Sequence, residues 1–176
     1  MATERVAPKR LLIDSMVIDL IADTPGLLAR VQRAIASGLL TIVETHILRT
    51  QLSATRCDAR RMRLLEVYET LHKIEVTTQG FVVGVSPLAA ADLGYEGLER
   101  LKTGGDGGMH DALLAATAAG KADALVTDDI ALGKKVNAQK LTCVLWGLED
   151  FRRLVQEHDG IHARKSTDQQ IADEEE

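Results

Sequence analysis

Two aspartates, Asp14 and Asp129, each lie just past a short apolar run, and Asp111 opens an alanine-rich stretch between them. The stretches are Leu11-Leu12-Ile13-Asp14-Ser15, Met109-His110-Asp111-Ala112-Leu113-Leu114-Ala115-Ala116-Thr117-Ala118 and Ala124-Leu125-Val126-Thr127-Asp128-Asp129. In an open parallel sheet, the residues immediately after the strands gather on one edge, where such folds bind ligands. Carboxylates far apart in sequence can meet there. Like charges that close raise each other's pKa unless a cation neutralises them. A divalent metal held by Asp14, Asp111 and Asp129 is the simplest resolution.

Each acid also has an ordinary structural role to weigh against this one. Asp14 can cap a helix that begins near Met16, although Ser15 would cap it as well. Asp111, read as a first-turn residue, is favoured there by the helix dipole alone. Its helix carries Ala112, Ala115, Ala116, Ala118 and Ala119, a slim surface able to lie close to a sheet. His110 points about a quarter-turn away and is a poorer ligand candidate. Of Asp128 and Asp129, one is expected to cap the following helix, with Asp129 the main ligand and Asp128 secondary. Thr127 can fix the loop by hydrogen bonding or touch a phosphate. Lys134 and Lys135 suit either a solvated face or a nucleic-acid groove.

Strands must deliver these acids to one edge. The run 11–13 reads as a buried strand, 40–43, 124–127 and 142–145 as strands after it, and the β-branched run 81–85 as a further one. Helical patterns cover 16–22, 27–37, 46–53, 59–71, 88–101, 109–120, 130–136 and 148–156, with Gly38 as a helix stop. Met62, Leu65 and Tyr68 mark the apolar face of the fourth helix, and Gly104-Gly105-Asp106-Gly107-Gly108 reads as a loop. Strands alternating with helices predict a three-layer α/β/α sandwich with a mainly parallel central sheet. Residues 1–9 form a lead, 10–157 one domain, and 158–176 an acidic tail expected to be disordered.

The composition suits a single globular domain: 176 residues, 45% hydrophobic and 27% charged. Aromatics are only 3%, so any bound nucleic acid would be held by charge and metal more than by stacking. No apolar run reaches spanning length and the N-terminus lacks a signal-peptide core, so no membrane association and a cytoplasmic location are expected. The net charge of −5 conceals a local asymmetry, because five acids lie between Ser166 and Glu176. Arg49, Arg56, Arg60, Arg61 and Arg63 crowd one short region. They read equally as an RNA-binding patch or as a solvated helix face with Glu66 and Glu69 as partners. Cys57 and Cys143 match no metal-binding spacing; Cys143 reads as a buried small hydrophobe and Cys57 as a surface thiol.

The three acidic stretches, in this order, resemble those of the PIN-domain nucleases, and in particular the VapC-like ribonuclease toxins of toxin–antitoxin pairs. The resemblance covers residues 10 to 155 and rests on the order and separation of short motifs. It implies a PIN-like α/β/α sandwich, three or four clustered acids, one or two Mg²⁺ or Mn²⁺ ions, and hydrolysis of RNA to 5′-phosphate and 3′-hydroxyl ends. It further implies a homodimer and an antitoxin partner. Asp14, Asp111 and Asp129 would be the catalytic metal ligands, joined by Asp128, with Ser15 and Thr127 in support. Arg49, Arg56, Arg60 and Lys134 would hold the RNA backbone.

One departure stands out. The family's usual glutamate on the helix after the second strand is replaced by Gln51, in Thr45-His46-Ile47-Leu48-Arg49-Thr50-Gln51-Leu52. Its neutral carbonyl can accept from a metal-bound water but adds no charge. Glu44, seven residues earlier, can substitute only if its side chain turns into the pocket. The competing reading is therefore a degenerate, non-cleaving domain that binds RNA or protein. A haloacid-dehalogenase-type phosphatase would want a second aspartate at position 16, where Met16 stands.

Overall fold

A computed structural model describes residues 9–79, 91–92, 106–138 and 143–157. The first of these segments runs β1 (Lys9–Ile13), α1 (Ser15–Asp23), α2 (Leu27–Ala36), β2 (Leu40–Glu44), α3 (His46–Ser53), α4 (Asp58–Thr70), β3 (Ile74–Glu75) and β4 (Thr78–Gln79). The rest contribute β5 (Ala91–Asp92), α5 (Asp106–Lys121), β6 (Ala124–Val126), α6 (Ile130–Ala138), β7 (Val144–Trp146) and α7 (148–157). β3, β2, β1, β6 and β7 form, in that order, a five-stranded sheet whose pairings are all parallel. β4 and β5 pair separately, also in parallel.

Leu11, Leu12 and Ile13 are all inaccessible to solvent, as expected for a parallel strand covered on both faces. Leu11, Ile13, Leu40, Ile42, Ala124 and Val126 pack with apolar residues of α1, α2, α3, α4 and α7. Leu12, Val43 and Leu125 face the other way, into a second core with α5, α6 and Ile47. The period of two thus sorts one sheet into two cores, giving the α/β/α sandwich. α5 is buried without a break from Ala112 to Ala118, with Ala112, Leu113, Ala115, Ala116 and Ala118 at zero exposure. Small side chains let this helix lie close against the sheet.

Gly38 ends α2 as expected. Its φ of +75° lets Gly38 N–H donate to Ile35 O and Leu39 N–H to Ala34 O, closing the helix's last carbonyls.

Several expectations are corrected. Met62 is 71% exposed; the buried stripe of α4 is Leu64, Val67 and Tyr68, continued by Leu71. Tyr68 is buried as expected and Leu65 packs half-buried against the core, so the correction concerns Met62 alone, with Leu64 and Val67 completing the stripe. Ala91–Asp92 is strand, not helix, because its backbone pairs with β4. α5 begins at Asp106, so part of the expected glycine loop is helical and Asp111 lies in the second turn, away from the strongest dipole field. The strand expected at 81–85 and the remainder of the helix expected at 88–101 lie outside the described residues, as do the lead before Lys9 and the tail after 157. Among the described residues, no helix is long and apolar enough to cross a membrane.

Candidate active site

The chain leaves β1 toward β2 and β3 on one side, and returns through β6 and β7 on the other. The β1–β6 boundary is therefore the point where strand order reverses, the usual ligand crevice of open α/β sheets. The pairs Leu12 with Val43 and Ile13 with Val126 fix the register. Two residues beyond the first pair and one beyond the second, Thr45, Asp14 and Thr127 stand side by side at the carboxyl edge, on the face covered by α5 and α6.

Asp14 is 5% exposed and caps α1, its Oδ1 accepting from Met16 N–H at 2.8 Å. Its Oδ2 accepts from the Thr127 hydroxyl. Thr127 Oγ1 accepts in turn from Asp129 N–H at 3.0 Å. Burial pushes the Asp14 carboxyl up to about 6; the Thr127 and Met16 hydrogen bonds oppose that shift, and the nearby Asp129 charge adds to it. Asp129 caps α6, with Oδ1 accepting from Ala131 N–H at 2.7 Å and Leu132 N–H at 3.0 Å. Its Oδ2 accepts no hydrogen bond among the described residues. Asp14, Thr127 and Asp129 thus form one connected unit.

Asp111 is placed differently. Its Oδ2 pairs with Lys135 Nζ at 3.0 Å, and Lys135 also donates to Gly108 O at 3.4 Å. Asp128 is exposed and caps α7, its Oδ1 accepting from Leu148 N–H at 2.9 Å. The two adjacent aspartates therefore cap two different helices. Ser15, the first residue of α1, is half-buried.

Glu44 does not turn toward Asp14. It continues the alternation of Leu40 and Ile42 onto the opposite face, where Oε1 accepts from Tyr68 O–H at 2.9 Å. Oε2 has no hydrogen-bond partner among the described residues, and burial pushes this carboxyl up to about 7. Gln51 is half-buried and Thr45 is 1% exposed; among the described residues neither the shielded Gln51 Oε1 nor the Thr45 Oγ1 has a hydrogen-bond partner.

The arginine cluster is largely spent on holding helices together. Arg60 bonds to both Asp19 and Asp23, tying α4 to α1, and Arg63 donates to Ala22 O. Arg61 reaches Thr55 O and Asp58, while Arg49 pairs loosely with Glu69 at 3.5 Å. Arg56 and Lys134 are exposed. Cys143 is buried and Cys57 exposed, both free, as the sequence suggests.

The pairing of Lys135 with Asp111 is a contact that the sequence reading does not anticipate. Leu132 and Val136 are the buried side chains of α6, which puts Lys135 at the flank of the buried stripe and Lys134 on its far side. That spacing was available in the sequence.

Could these residues hold a divalent ion? Among the described residues, no group of three or more His, Cys, Asp or Glu side chains is arranged to hold one. The donors at the β1–β6 edge are nonetheless hard oxygens, and Mg²⁺ is commonly bound by one or two carboxylates with water and phosphate completing its shell. The Asp14–Asp129 pair, with the free Oδ2 of Asp129, fits that minimal set. No protein-family model matches this chain, and no curated protein shows significant similarity to it.

Proposed function

We propose that the chain is a metal-dependent ribonuclease of the PIN type, hydrolysing RNA phosphodiester bonds. The observation that supports this reading is the buried Asp14 at the strand-order reversal, joined through Thr127 to Asp129. Asp14 and Asp129 would hold Mg²⁺ or Mn²⁺, with Asp111 joining them once it leaves Lys135. Bound there, the ion would lower the pKa of a water molecule and stabilise charge developing on phosphate oxygens. Thr127 fixes the Asp14 carboxylate in orientation, and its place between the two acids keeps them in register. Arg56 and Lys134, exposed on the surface, would meet the RNA backbone by charge. A toxin role with an antitoxin partner, a homodimer and a cytoplasmic location belong to the same reading and rest on the resemblance.

A second reading has its own support. Gln51 supplies no charge and Lys135 already neutralises Asp111, as in a domain that binds RNA or protein without cutting. Cleavage of a fluorophore-labelled RNA with Mn²⁺ separates the two. The nuclease reading requires Asp14→Asn to lose on the order of a hundredfold or more, and Gln51→Glu to raise turnover. Equal residual activity in wild type and Asp14→Asn would point to a contaminant and leave the binding-module reading standing.

A further inference from the structure

Glu44 is the last residue of β2, and two other elements fasten to it there. Its backbone carbonyl accepts from Val76 N–H at 2.8 Å, just past β3, and Glu75 of β3 lies opposite it in the strand pair. Its buried side chain accepts from Tyr68 O–H at 2.9 Å, which ties down α4. Lys73, in the connection from α4 to β3, lies 3.8 Å from the centre of the Tyr68 ring and donates to Tyr68 O at 2.7 Å. The one residue therefore holds both ends of that connection. β3 is weakly held otherwise: it is an edge strand of two residues, both exposed. Local opening draws on such segments.

An ionised carboxylate is costly where Glu44 lies, because Oε2 has no hydrogen-bond partner among the described residues. The charged groups facing it are divided. Lys73 favours the anion, whereas Glu75 and Glu69 oppose it, and Arg49 is paired with Glu69 at 3.5 Å. His72, on the same connection, is exposed. The sheet ends one strand beyond β2, so the short way to water for this side chain is past β3. We propose that Glu44 is a proton-operated clasp for the β3 edge: protonated, it fastens α4 and β3 to β2, and ionised, it lets β3 and the connection before it open locally while the rest of the sheet stays closed. The closed form holds the proton more tightly, at about 7 against 4.5 for an exposed glutamate. Opening therefore becomes easier as the pH rises from about 4.5 to about 7, and levels off above that. It frees the outer backbone edge of β2 beside a cavity of about 180 Å³ whose lining includes Leu40, Thr41, Ile42, Lys73 and Ile74. The Asp14 unit, on the opposite face of the sheet, takes no part.

Amide hydrogen exchange followed by NMR between pH 5 and 8, corrected for the pH dependence of the intrinsic rate, tests this. The Val76 amide should lose protection by on the order of fiftyfold over that range, with little further change above about 7. In Glu44→Gln its protection should be flat with pH, and in His72→Gln it should follow wild type. On the wild-type chain alone, low urea should leave Val76 exchange unchanged while steeply accelerating that of Leu12 and Leu125, because a local opening exposes little surface. The proposal is overturned if Val76 shares the urea dependence of Leu12, since β3 would then open only when the whole domain unfolds. It is equally overturned if the pH dependence persists in Glu44→Gln or vanishes in His72→Gln.

Discussion

Replacing Glu44 with glutamine should stabilise the protein at pH 8 while leaving it no more stable at pH 5. Glu44 is 4% exposed, and burial raises its carboxyl from 4.5 to about 7. The Tyr68 hydroxyl and the Lys73 charge oppose the shift, whereas Glu75 and Glu69 add to it. A carboxyl that holds its proton more tightly when folded favours the native state at low pH. That contribution is complete below about 4.5 and is lost as the pH rises through about 7. The displacement between those values corresponds to roughly 3 kcal/mol. Glutamine keeps an acceptor for Tyr68 but places an amide where Oε2 lacks a hydrogen-bond partner among the described residues. An unsatisfied buried amide costs about 1–3 kcal/mol at every pH. The net gain at pH 8 is therefore about 1–2 kcal/mol, turning into a small loss at pH 5. Urea unfolding of both proteins at pH 5, 6, 7 and 8 measures this directly. Stability profiles running parallel to within about 0.5 kcal/mol would refute the argument, because they would mean that Glu44 ionises as readily folded as unfolded.

Two further substitutions dissect the acidic unit. Thr127→Val keeps the shape but removes the donor to Asp14 and the acceptor for Asp129 N–H, so it should cost about 1–3 kcal/mol in urea unfolding. Asp129→Ala should lose about 1 kcal/mol with its two first-turn hydrogen bonds, whereas Asp129→Asn keeps the cap and its stability. On the nuclease reading both Asp129 variants lose Mn²⁺-dependent cleavage; full cleavage by Asp129→Asn would confine this residue to capping.

The parallel strands are legible because burial on both faces demands apolar runs: Leu11–Ile13 and Ala124–Val126 are unbroken, and Leu40–Val43 is interrupted only by the partly buried Thr41. The strands Ile74–Glu75 and Thr78–Gln79 span two residues each, too short to carry a periodicity. Of the face marked by Met62, Leu65 and Tyr68, only Met62 fails, because packing places the start of α4 with Leu64 inward and Met62 toward solvent. Asp14 and Asp129 could be placed at one sheet edge from the strands alone. The division of labour between Asp128 and Asp129 could not, because both fit a capping position and only the location of α7 assigns Asp128 to it. Glu44 was open for a simple reason. Period-two alternation separates it from Asp14, but that inference needs the pairing of β2 with β1, which a single sequence does not state.

The bond between Thr127 and Asp14 joins positions 113 residues apart. During synthesis the first carboxylate leaves the ribosome long before its companion exists. A growing polypeptide therefore carries only half of the acidic unit, and truncated products stopping before the sixth strand cannot assemble it. Whatever chemistry that unit performs must therefore await completion of the fold.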